Sequence, residues 1–142
     1  MTASLRLYKK EKLCSLTAIE RLFSAGEKCH GRMAYPWRAV WRFREDSDIR
    51  PAVPQFVITV PKRRLRHAVG RVRMRRVLRE AYRLNRHLFP DGGNCPVDIA
   101  FIYVANDLTT YRAAVRSVTK IIGDIAAEWA VRSKSAGDDP VV

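Results

Sequence analysis

A chain of 142 residues with a hydrophobic share of 47% has room for one domain with a real core, not two. Its 27 Lys and Arg against 14 Asp and Glu give a net charge of +13, which repels itself unless a polyanion is near, so nucleic acid is the leading partner. No apolar run approaches the ~20 residues of a bilayer span, the start MTASLRLYKKEKL lacks the apolar centre of a secretory signal, and three scattered cysteines suggest neither a disulfide framework nor zinc; a cytoplasmic protein with no membrane partner is expected.

In chain order, SLTAIERLFSAG opens with a capping box, Thr17 with Glu20, and closes at Gly26, predicting a short helix over about 17–25. Cys29 and His30 are adjacent but lack a second ligand pair, so they read as a buried thiol and a loop imidazole. YPWRAVWRF alternates Tyr35, Trp37, Ala39, Trp41 and Phe43 against Pro36, Arg38, Val40 and Arg42, the period of a strand with one aromatic and one arginine-bearing face. Residues 44–54, REDSDIRPAVP, read as a hairpin loop. QFVITV, Gln55 to Val60, is β-branched and predicts a central strand, ended by Pro61.

After an arginine-rich segment, FPDGGNCP is a turn cluster and Val97 to Val104 another buried strand. Tyr111, Val115, Val118, Ile122, Ile125 and Trp129 then form an apolar stripe on a helix starting near Thr109 or Thr110. The order is helix, two or three strands, helix, strand, helix: an α+β sandwich with helices packed on a small sheet. Residues 1–132 form the single domain, and 133–142 are expected to be a disordered tail.

From Lys62 to Arg86 there are eleven Lys or Arg and one acid, so +10 of the chain's +13 is concentrated there. On a helical wheel of about 100° per residue, with Arg71 as origin, Arg71, Arg75, Arg86, Arg79, Arg83 and Arg76 share one arc of about 140°. Met74, Val77, Leu78, Ala81, Leu84 and Leu88 occupy a separate arc, with Arg73 at the border and Glu80 outside the basic arc where it does not neutralise it. Val72, at about 100°, is expected to be exposed among the arginines. Solvated helix faces mix signs at spacings of four, whereas here 71/75, 75/79 and 79/83 repel. A membrane-surface helix would need its apolar face free for lipid, but flanking strands predict that a sheet buries it. Arginine in place of lysine favours phosphate, because the planar guanidinium holds two phosphate oxygens at once.

The stretch FVITVPKRRLRHAVGRVRMRRVLREAYR, residues 56–83, resembles the signature of the bacterial ribonuclease P protein component. Val60, Lys62 and Arg63; Ala68 and Val69; Arg71 and Arg73; Arg75 and Arg76; Arg79 and Glu80 match it in order and spacing. KLCSLTAIERLFSAG and VDIAFIYV resemble the family's first helix and last strand, and Val72 stands where the family's motif has Asn. The resemblance implies a ribosomal-protein-S5-like fold with a left-handed βαβ crossover. It also implies an enzyme that removes the 5′ leader of precursor tRNA, with the catalytic centre in a large RNA subunit holding Mg²⁺ and one protein per RNA.

No catalytic or metal-ligating set is expected in the chain itself: His30, His67 and His87 are separated, and the acids concentrate in a loop and the tail. By resemblance, Lys62, Arg63, Arg71, Arg73, Arg75, Arg76 and Arg79 are expected to contact phosphates of the catalytic RNA. Phe23, Tyr35 and Trp37 are the candidates for stacking on the leader in a cleft between first helix and sheet, against the simpler reading that they are core. The rival function is a non-enzymatic RNA-binding protein, ribosomal or an assembly factor, of the same fold. Self-repulsion on this scale also predicts that anions stabilise the free protein.

Overall fold

The computed structural model describes residues 11–13, 16–23, 29–44, 53–90 and 95–137. Among the described residues the elements in order are α1 (Leu16–Phe23), β1 (His30–Ala34), β2 (Trp37–Phe43), β3 (Gln55–Thr59), α2 (Ala68–Asn85), a 3₁₀ turn (Arg86–Leu88), β4 (Val97–Tyr103) and α3 (Tyr111–Gly137). The four strands form one mixed sheet in the order β1-β2-β4-β3. β1 with β2 and β2 with β4 are antiparallel, while β3 runs parallel to β4 and is joined to it through α2.

Strand alternation divides the side chains between two faces. Trp37, Ala39, Trp41 and Phe43 of β2, opposite Tyr103, Phe101, Ile99 and Val97 of β4, are buried beneath α2 and α3. Met74, Leu78, Ala81 and Tyr82 come down from α2, and Ala114, Val118, Ile121, Ile122 and Ile125 from α3. Tyr82 anchors this core, its ring 4.0 Å from Phe56 and 6.0 Å from both Phe89 and Phe101, an aromatic cluster worth more than its area alone. On the other face a smaller cluster, Leu13, Ala18 and Leu22 against Ala100, seats α1. The sheet is thus sandwiched between α1 and the α2–α3 layer.

Polar ties fix the frame. The Arg44 guanidinium, 5% exposed, donates to Asp98 Oδ1 at 2.9 Å and to the Val53 carbonyl at 2.6 Å, linking the exit of β2, the entry of β3 and β4. Ser117 Oγ of α3 donates to the Ala34 carbonyl at 2.6 Å, holding the β1–β2 turn, which contains a cis Tyr35–Pro36 bond. Thr110 caps α3, its Oγ1 accepting from the Ala113 N–H at 3.2 Å, as the sequence predicts.

Several expectations are corrected. β3 is an edge strand: its β-branched residues report that both faces are covered, not that both edges are paired, and among the described residues its outer side meets an isolated bridge from Lys12 to Phe56. The 44–54 segment is no hairpin loop, because β4 inserts between β2 and β3. The hairpin is β1–β2, so Tyr35 and Pro36 form its turn and the strand starts at Trp37. α1 begins at Leu16, which places Thr17 within its first turn and not at the cap; Gly26 lies outside the described residues. The tail expected from residue 133 is helical to Gly137, since nothing in AVRSKSA breaks an established helix. Residues 138–142 lie outside the described set.

Candidate nucleic-acid interface

α2 buries Met74, Leu78, Ala81 and Tyr82, which centres its inner face about 40° from the one the apolar residues alone predict. Tyr82, inside the nominal basic arc, is the reason: its ring is 1% exposed and draws that side of the helix onto the sheet. The outer crest consequently carries Val69, Val72, Arg73, Arg76, Arg79 and Glu80, all exposed. Arg73 moves from the border onto the crest, and Val72, 38% exposed, lies among the arginines as expected.

The sequence-predicted basic residues divide by what they already hold. Lys62 and Arg63 are exposed in the turn before α2, and Arg73, Arg76 and Arg79 are exposed on the helix. Arg75 is half-buried on the flank, and none of these six forms an ion pair among the described residues. Arg71 differs: Nη1 donates to the Leu65 and Arg66 carbonyls, both at 2.9 Å, so it fastens the basic turn to the helix. His67, the N-cap of α2, makes no side-chain capping bond, so the positive helix end adds to the local charge.

Glu80 overturns its expected place outside the basic surface. It sits on the crest and accepts from Arg83 at 2.5 and 3.1 Å. That hydrogen bond holds the Glu80 carboxyl below its ordinary range and raises Arg83. Arg86, counted in the basic arc, is turned inward to Glu11 at 2.5 Å.

A groove of about 350 Å³ lies on the opposite side of the sheet, between α1 and the strands. Phe23, Gly31, Arg38, Val40 and Ile102 line it. Of the three aromatic candidates only Phe23, 50% exposed, reaches it. Tyr35 is 70% exposed in the β1–β2 turn, away from the groove lining. Trp37 is 0% exposed, its ring set edge-on to Tyr103 at 4.8 Å beneath the helices, so it is core and unable to stack on an external base. Sequence reasoning missed Arg38, although the same alternation that buries Trp37 turns Arg38 to the groove face. Together Phe23 and Arg38 offer one flat apolar surface and one cation, suited to an unpaired base and a phosphate.

Among the described residues no three His, Cys, Asp or Glu gather in a way that could hold a metal ion. No helix of the described chain is long and apolar enough to cross a membrane.

The chain matches the family model described as ribonuclease P over residues 7–125. It is 35% identical over 127 residues to a ribonuclease P protein component of Porphyromonas gingivalis, spanning 87% of this chain and 89% of that protein. A protein of the same description from Chlorobaculum tepidum is 33% identical over 117 residues, 73% of this chain and 74% of the relative. In fold it is similar to the Staphylococcus aureus RNase P protein, with a TM-score of 0.60 at 17% identity over 82% of this chain and 94% of the other. A mutant of that protein, described as defective in mRNA degradation activity, matches with a TM-score of 0.61 at 18% identity.

Proposed function

The chain belongs to the ribonuclease P protein family and is the protein subunit of that tRNA-processing ribonucleoprotein; from this premise we propose that it works by holding RNA phosphates while the chemistry is done by the RNA subunit. The observation that carries this reading is the α2 crest, where Arg73, Arg76 and Arg79 are exposed beside Lys62 and Arg63 without an acidic partner among the described residues. Guanidinium groups there displace counterions and lower repulsion between catalytic RNA and precursor tRNA, two polyanions. Arg75 flanks the contact, and Arg71 acts by fixing the turn that carries Lys62 and Arg63.

Metal-assisted hydrolysis of a phosphodiester uses carboxylates converging on Mg²⁺. In this reading Mg²⁺ is held by the RNA subunit, and the described residues of the protein, which gather no set of His, Cys, Asp or Glu suited to a metal ion, bind and orient RNA. The groove on the α1 side takes the single-stranded 5′ leader of precursor tRNA, with Phe23 stacking on a base and Arg38 meeting its phosphate. One protein serves one RNA, in the cytoplasm where precursor tRNA is made.

The test combines the purified protein with precursor tRNA at low Mg²⁺, alone and with the organism's own ribonuclease P RNA. Maturation of the 5′ end in the second mixture only is the expected result. Failure to rescue the RNA at low Mg²⁺ would leave an RNA-binding protein without a part in the reaction.

A further inference from the structure

α3 carries a second basic ridge that the α2 signature does not include. Arg112, Arg116 and Lys120 recur every fourth residue and are exposed. The helix buries Ala114, Ser117, Val118, Ile121, Ile122 and Ile125. At about 100° per residue the three cations lie diametrically opposite the centre of that buried face, so they point straight out of the helical layer. Four residues of helix rise about 6 Å, so the ridge presents three evenly spaced charges over about 12 Å.

The acids of α3 do not neutralise it. Asp124 and Glu128 are the only two in the helix, and both are turned toward β1. Asp124 pairs with Arg32 at 2.6 Å, and Glu128 accepts from Trp41 Nε1 at 2.7 Å and lies 3.3 Å from His30 Nδ1. Arg112, Arg116 and Lys120 have no acidic partner among the described residues. Arg112, Arg116 and Lys120 repeat one sign at spacings of four, where like charges repel, and the acid next in that row, Asp124, is engaged by Arg32 of β1.

We propose that the α3 ridge of Arg112, Arg116 and Lys120 is a second phosphate-binding surface for the backbone of the enzyme's own RNA subunit. The inference rests on the reading above that the α2 crest faces that RNA. α2 and α3 pack side by side on one face of the sheet, and helices so packed lie 8–10 Å apart, so both crests leave the molecule on the side away from the leader groove. One RNA body meeting this side would touch both ridges, and charge complementarity identifies it as a polyanion.

The experiment measures binding of the intact protein to its ribonuclease P RNA across a salt series, for wild type and for Arg112→Ala, Arg116→Ala, Lys120→Ala combined. Each lost phosphate contact lowers the slope of log affinity against log salt by about 0.7–0.9. Between 50 and 200 mM salt the triple variant should therefore lose about 20- to 40-fold less affinity than wild type. Arg112→Lys with Arg116→Lys should keep the wild-type slope, because the charge is retained. An unchanged slope in the alanine variant, with circular dichroism confirming its fold, overturns the proposal. So does a loss confined to precursor tRNA binding by the assembled enzyme. If wild-type protein itself fails to rescue 5′ maturation, the functional reading has failed instead, which the binding series alone would not show.

Discussion

At the scale of single residues, Glu80 sets how many arginines the α2 crest offers. It is the one acid between Lys62 and Arg86, and its carboxylate engages Arg83. Its lowered carboxyl range keeps the pair intact at neutral pH and releases it as pH falls through that lowered value. Glu80→Gln removes the negative charge that engages Arg83 and should steepen the salt dependence of RNA binding by up to about one phosphate contact, 0.7–0.9 in slope. A slope at or below wild type would show that Arg83 does not reach RNA. Phe23 and Trp37 separate just as sharply. Trp37→Ala empties a site that is 0% exposed and should cost about 3–5 kcal/mol in chemical denaturation. Phe23→Ala removes a ring that is half in solvent, so it should leave the denaturation midpoint nearly unchanged while weakening crosslinking of a leader nucleotide to the protein.

At the scale of elements, helices were readable where a long apolar stripe dominates. α3 begins beside Thr110 as its cap predicts, and α2 begins at Ala68. The rotation of α2 was not readable from its aliphatic residues, because one aromatic, Tyr82, decides which side packs on Phe56 and Phe101. Strand composition likewise reports covered faces and is silent about neighbours, so β3 reads as central and lies at the edge. For the site, the order of basic residues was legible, but their roles were not: Arg71 and Arg86 are engaged by Leu65, Arg66 and Glu11, all brought to them by the fold. Arg38 was legible in principle, since it alternates with the residues that build the core. Within α3, Gly123 has nothing within 4 Å of where a Cβ would sit. Gly123→Ala should therefore stabilise the protein by about 0.8–1 kcal/mol, read as a raised denaturation midpoint.

At the scale of the whole molecule, most of the net charge of +13 is carried by the segment from Lys62 to Arg86, and the fold must hold it there in the absence of RNA. The buried Arg44–Asp98 pair helps by locking three strands together at 2.9 Å. Asp98→Ala would leave a buried guanidinium short of its counter-charge and should cost about 3 kcal/mol. The larger effect is self-repulsion among Arg73, Arg76, Arg79 and their neighbours, which a bound anion relieves only in the folded state, where the crest exists. Such linkage stabilises by about 2.7 kcal/mol when the anion is at 100 times its dissociation constant. Sulfate should thus raise the melting temperature well beyond chloride at matched ionic strength, and Arg76→Glu with Arg79→Glu should abolish the difference. The same double variant should weaken assembly with the RNA and flatten its salt slope, because an anion and an RNA phosphate would occupy the same guanidinium groups. Equal stabilisation by the two salts would mean that general screening, not a phosphate-shaped site on α2, relieves the charge.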